Sequence, residues 1–393
     1  MTFSDSQQAA LDAIDTASDD LRALSLDIHA HPELGYEETH AHAALTNYLE
    51  GAGFEVERSA HGLETSFRAS AGSGGPVIAA LCEYDALPEI GHACGHNLIA
   101  ISGVAVGLGL RAALREAEVG GTVLVLGAPA EERGGGGKIR LIDAGAFEGV
   151  DAAVMLHPGM GDEVRPSSLS HRGLTVEFRG QASHAAGAPW RGVNALDAMV
   201  LGFAALGLLR QQIEPSHRVH GVITHGGDSP NIIPERTEAR LLVRAPTREQ
   251  VDALRERVLG CFSGAAQQTG CELEASWSDS PYENLRQNPA LADAYREGFD
   301  AVGGTIQPGR GGGSTDMGNV TQVMPGLHPH YRIPAGSGNH TRGFTDAAAT
   351  PEAHEATIRA AQALALASLR AFEDTTFLQS IHESFTTGET GGR

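Results

Sequence analysis

Apolar positions change their period twice along the chain. Over residues 6–30, Leu11, Ile14, Leu21, Leu24 and Ile28 recur among polar residues at intervals of three, four and seven, which predicts an amphipathic helix. His31-Pro32-Glu33-Leu34-Gly35 breaks it, and residues 37–49 predict a second helix ending near Gly51-Ala52-Gly53. Three apolar runs without alternation follow, at 76–82, 122–127 and 150–156. Such runs predict strands buried on both faces. Residues 98–114 and 136–144 read as helices between them. Strand and helix thus alternate to about residue 165, the pattern of a layered α/β domain.

From His171 the period shifts again. Residues 174–179 and 236–244 alternate like half-exposed strands, 219–224 and 272–277 complete a set of four, and 194–211 and 247–267 read as helices. That β-α-β-β-α-β order predicts a small ferredoxin-like α+β module. The expected organisation is α/β: an α/β/α domain in two parts, 1–170 and 284–393, with the module at 171–283 inserted as a lid or dimerisation domain. Near the end, 350–372 predicts a helix, and the tail from Glu373 carries no distinctive signal.

Composition narrows the function classes. The 393 residues suffice for two domains, and a formal charge of −21 argues against nucleic-acid binding, which rests on clustered Lys and Arg. Basic residues are almost all Arg; Lys138 is the only lysine, which we read as a mark of genome composition. Residues 1–6 show no signal-peptide pattern, and no apolar run of the ~20 residues of a membrane span stands out. Cys82, Cys94, Cys261 and Cys271 lack paired spacing. The expectation is a reduced, cytoplasmic protein with neither membrane nor nucleic acid as partner.

The chemistry gathers after the predicted strands. Cys94 and His96 stand two apart, so on an extended backbone both point one way, and both suit a borderline-soft divalent metal. Asp85, Glu131-Glu132 and His157 each follow an apolar run, where open α/β sheets place their sites, and His340 lies near the C-terminus. This inventory reads as a metallohydrolase. Two other classes compete: a hydrolase with Cys94 as nucleophile, and a metal-binding regulatory protein without turnover.

The chain resembles the co-catalytic zinc metallopeptidase and aminoacylase family, in its amidohydrolase branch. The resemblance rests on His31-Pro32-Glu33-Leu34-Gly35, Asp85-Ala86-Leu87-Pro88, residues 91–97, Pro129-Ala130-Glu131-Glu132, Leu156-His157, Ser183-His184-Ala185, Asn231-Ile232-Ile233-Pro234, Gly313-Ser314-Thr315-Asp316 and Asn339-His340-Thr341. The wider family's His-x-Asp motif is missing, since Glu83 stands two before Asp85; in this branch Cys94 and His96 take its place. The resemblance implies two divalent ions, zinc favoured with manganese, cobalt or nickel open, held by Cys94, His96, Glu132, His157 and His340. It further implies Glu131 as general base, Asp85 orienting a ligand, and His184 as an oxyanion donor from the partner subunit of a homodimer. Asn231 and Arg310 are candidates for a substrate carboxylate. The implied substrate is a small N-acyl amino acid or dipeptide, and residues 325–339 lie nearest the β-alanyl-lysine dipeptidase type.

Overall fold

The missing alternation in the predicted central strands has a direct cause: both faces of their sheet are covered. In the computed structural model, which describes residues 2–132, 135–278, 280–308 and 313–387, the chain divides into two compact units. Unit 1 comprises Met1–Ser167 and Leu285–Arg393, and unit 2 comprises Ser168–Asn284. Unit 1 begins with helices α1 (Asp5–Thr16), α2 (Ser18–Ala30) and α3 (Thr39–Gly51) and strands β1 (Glu55–Arg58), β2 (Phe67–Ser73) and β3 (Val77–Cys82). There follow α4 (His96–Ala117), β4 (Gly121–Gly127), α5 (Gly137–Asp143), β5 (Ala152–Val154) and β6 (His157–Gly159). Unit 2 contains β7 (Ser170–Arg179), α6 (Ala195–Leu209), β8 (Arg218–His225), β9 (Arg236–Ala245), α7 (Arg248–Thr269) and β10 (Glu272–Trp277). Unit 1 then resumes with α8 (Pro289–Ala301), α9 (Met317–Val323), β11 (Gly326–Leu327), β12 (His330–Arg332), α10 (Arg342–Ala347), α11 (Pro351–Glu373) and α12 (Thr375–Thr387).

The main sheet of unit 1 has the order β1-β2-β4-β3-β5-β11. Its middle strands β4, β3, β5 and β11 run parallel, and β2 and β1 add an antiparallel edge. Ile78, Ala80, Val123 and Val125 enter one core with α1–α4, α8 and α11, while Ala79, Leu81, Leu124 and Leu126 enter another with α5 and α9. Both cores are apolar, so β3 and β5 and all of β4 but its start at Gly121-Thr122 are apolar. Parallel strands deliver their carboxyl ends to one edge, and Asp85, the Glu131-Glu132 pair and His157 all follow such ends.

Four sequence expectations need correction. The first helix is two, because Ala17 caps α1 and α2 starts at Ser18; the seven-residue gap between Ile14 and Leu21 suits a helical stripe whether or not the chain turns there. Helix α4 starts at His96, two residues before the predicted start, and is by length and hydropathy a candidate membrane span, although 83% of that window is buried in unit 1. The third strand shrinks to β5, Ala152–Val154. The tail beyond Glu373 forms α12, which seats Phe377 and Ile381 in the core.

Unit 2 is an antiparallel sheet of order β10-β7-β9-β8 with α6 and α7, the ferredoxin-like arrangement. Phe262 on α7 is fully buried against Phe178 and Phe203. Phe262→Ala should lower the stability of this unit by roughly 3–5 kcal/mol, measured as a fall in the urea midpoint at unchanged slope.

Candidate metal centre

Cys94 and His96 do not sit on an extended strand. Gly95 between them has φ +79° and caps the N-terminus of α4, so the chain turns sharply and His96 opens the helix. The thiol and the imidazole converge through that left-handed turn, a conformation costly to residues with a Cβ. His96 is fully buried, and its Nδ1 lies 3.0 Å from Asp85 Oδ1. Asp85 Oδ2 accepts from the Glu132 backbone N–H at 2.9 Å, so one carboxylate orients two of the other groups.

The Glu131-Glu132 pair follows a backbone irregularity. Ala130, not glycine, has φ +56°, and His340 has φ +65°. Left-handed conformations at such residues cost free energy and cluster at functional sites. Nearby contacts hold the first one: Ala130 N–H donates to Glu38 Oε1 at 2.8 Å, and a Cβ on Gly35 would lie 2.8 Å from that of Ala130. The backbone of His31-Pro32-Glu33-Leu34-Gly35 thus packs under the site, with the Glu33 carbonyl accepting from Ala86 N–H at 2.8 Å.

His157 Nδ1 donates to the Pro158 carbonyl at 2.8 Å, leaving Nε2 as an acceptor 3.5 Å from Cys94 Sγ. His340 N–H donates to the Ala93 carbonyl, and its Nε2 lies 3.4 Å from Glu132 Oε1. Three donor groups result, each with its atoms within 4.8 Å of one another: Cys94, His96 and His157; Cys94, Glu132 and His340; and His96, Glu131 and Glu132. The first two share Cys94.

These residues fit divalent metal. A tetrahedral ion with bonds of ~2.3 Å to sulfur and ~2.0–2.1 Å to nitrogen or oxygen spaces its donors ~3.4–3.5 Å apart, the separation seen for Cys94 with His157 and Glu132 with His340. Both His96 Nε2 and Glu132 Oε1 are buried without a hydrogen-bond partner among the described residues. Electrostatics point the same way. Burial opposes it, yet His157, His340 and His96 hold the Cys94 thiol well below its usual range. The Cys94 sulfur and the Glu132 carboxylate beside it push His340 up to about 10. Burial, then Glu83, Glu132 and Asp316, hold the Glu131 carboxyl well above the ordinary range. Lys138, read from the sequence as a compositional mark, is fully buried in an ion pair with Glu83 and another with Asp316 at 2.6 Å. The sequence reading missed this cluster; a lone lysine among arginines was its one visible trace.

Three other candidates are placed differently. His184 and Asn231 lie together in unit 2, where Ala185 N–H donates to the Asn231 carbonyl. His184 is exposed, and its Nδ1 accepts backbone N–H groups of Ala186 and Gly187 at 3.2 and 3.1 Å. The second ring nitrogen, Nε2, is therefore the donor. Arg310 falls outside the described residues.

Residues 169–269 match the family model described as a peptidase dimerisation domain. The Xaa-Arg dipeptidase of Mus musculus is 43% identical over 96% of this chain and 92% of its own length. One of the subunits of the p-aminobenzoyl-glutamate hydrolase of Escherichia coli is 34% identical over 74% of this chain and 64% of its own length. A dinuclear metal-binding peptidase of the M20 family from Bacillus subtilis shares the fold, with TM-score 0.72 and 22% identity over 91% of this chain and 99% of that one. The chain belongs to the M20 peptidase family. Like its M20 relatives it is a hydrolase.

Gly95 tests how strictly the M20 site depends on its local turn. Gly95→Ala adds a Cβ at positive φ, about 1–2 kcal/mol of strain, and brings it within 2.6 Å of Pro158 Cγ. Thermal unfolding should shift down, and metal retained per chain after dialysis, read by plasma mass spectrometry, should fall.

Proposed function

We propose that this protein is a dinuclear metal-dependent dipeptidase that cleaves small dipeptides with a basic C-terminal residue. The observation that carries the reading is the pair of donor groups sharing Cys94, with Glu131 in a third group alongside. The name of the Mus musculus relative supports the basic residue, and a net charge of −21 suits a cationic substrate. The thiolate favours zinc over harder ions.

Cys94, His96, Glu132, His157 and His340 would hold the two ions, and Asp85 would fix the ring of His96. Bound there, the ions supply Lewis acidity, polarising the scissile carbonyl and making a water acidic near neutral pH. Glu131 takes the proton of the attacking water and passes it to the leaving amine. His184 donates from Nε2 to the oxyanion; its two backbone contacts on Nδ1 preset that tautomer, so no reorientation is needed as charge develops. Asn231 contributes to binding the substrate carboxylate.

We further propose that two copies pair through unit 2, with His184 acting in the partner's site. Strand β8 is a sheet edge that exposes Val222 and Ile223, and α6 exposes Val200, Leu201 and Leu208. An uncovered apolar edge of this kind is an association surface.

Two experiments test the reading. Glu131→Gln should keep the wild-type metal content while hydrolysis of an Xaa-Arg and Xaa-Lys dipeptide panel falls by roughly 10²–10⁴-fold, the weight of a general base; loss of metal instead would remove Glu131 from that role. Val222→Lys with Leu208→Lys should give a monomer by light scattering, with activity falling to the level of His184→Ala. A fully active monomer would exclude a histidine acting across subunits.

A further inference from the structure

We propose that Glu83 is a sixth protein donor of the metal centre, held in register by Lys138 and Asp316. The inference rests on the two-ion reading above and extends it to a residue at the position where the wider family's His-x-Asp motif has histidine.

Asp316 grips Lys138 at both ends. Its Oδ2 accepts from the Lys138 backbone N–H at 2.9 Å, and its Oδ1 lies 2.6 Å from Nζ. The ammonium so fixed takes Glu83 Oε1. All three side chains are essentially inaccessible to water. Lysine suits the position where arginine does not: an ammonium is a compact charge on a thin stem, whereas a guanidinium is a wide planar fork. In a chain whose other basic positions are arginine, this one is lysine.

The other oxygen, Glu83 Oε2, is buried with no hydrogen-bond partner among the described residues. It faces His96 Nε2 at 3.5 Å, and that nitrogen is likewise buried and without a hydrogen-bond partner there. His96 Nδ1 is committed to Asp85, so Nε2 is its ligating nitrogen. Two unsatisfied donors ~3.4–3.5 Å apart have the bite of adjacent ligands on one ion. The separation matches those of Cys94 with His157 and Glu132 with His340. Glu83, Glu131 and Asp316 also form a carboxylate group by themselves; Lys138 Nζ already serves as its cation, which leaves Oε2 free to face the ion at His96.

Co²⁺ serves as the probe. Wild type, Glu83→Gln and Lys138→Met are loaded with Co²⁺ and dialysed against graded chelator, and metal per chain and visible absorption are recorded. Wild type should retain two ions. Glu83→Gln should release one of them at roughly 10-fold or more lower chelator strength, keep the other, and alter the absorption band of the weakened site. Lys138→Met should weaken the same ion. Two ions held in Glu83→Gln with wild-type affinity and spectrum would overturn the assignment of Glu83 while leaving the dinuclear reading intact. Failure of wild type to take up two ions would overturn the dinuclear reading and this inference with it. A crystal structure of Co²⁺-loaded wild type needs no variant: Glu83 Oε2 at ~2.0–2.2 Å from an ion is expected, and an oxygen beyond ~3 Å from both would refute the assignment.

Discussion

The density of buried negative charge at one edge of the sheet constrains everything around it. Glu83, Asp85, Glu131, Glu132 and Asp316 are all buried, and Cys94 is held toward its thiolate beside them. Lys138 pairs with two of them, Glu83 and Asp316. Buried carboxylates without compensating charge are costly, so such a cluster is stable only where cations complete it. The lysine meets part of the need, histidines meet another part, and the donor spacing suits divalent ions for the rest. Stability and chemistry therefore draw on the same groups.

Local backbone geometry turns that charge into a directed site. Gly95 lets Cys94 and His96 converge, and the left-handed residues Ala130 and His340 aim their neighbours inward. The turn at Gly95 is favoured by its own residue, whereas those at Ala130 and His340 are not. Ala130 is held by Glu38 and by the space that Gly35 leaves, and His340 by its amide bond to the Ala93 carbonyl. The strain is borne by contacts from segments distant in sequence, which is how rigid scaffolds keep costly conformations at functional positions.

Unit 2 is organised differently. Its core is satisfied internally around Phe178 and Phe262, yet its edge strand and α6 present apolar side chains outward. His184 is exposed, and its Nδ1 accepts from two backbone amides. For the oxyanion role proposed for His184, a donor preset in this way needs little reorganisation, the condition on which electrostatic catalysis relies.

Periodicity by itself determined the two architectures, because burial on one face or two writes itself into the spacing of apolar residues: the runs at β3 and β4 and the alternation of β7 and β9 were legible before any coordinates. The residue types of the centre were legible too, since few side chains ligate soft divalent metal. Tertiary structure alone decided which atoms meet. Cys94 and His96 converge through a turn at Gly95 that an extended reading of the same residues misses. Lys138 looked compositional until folding buried it between Glu83 and Asp316, 55 and 178 residues away in sequence. A local pattern encodes which face of an element is buried, whereas the pairing of charges depends on distances through space that no local pattern carries.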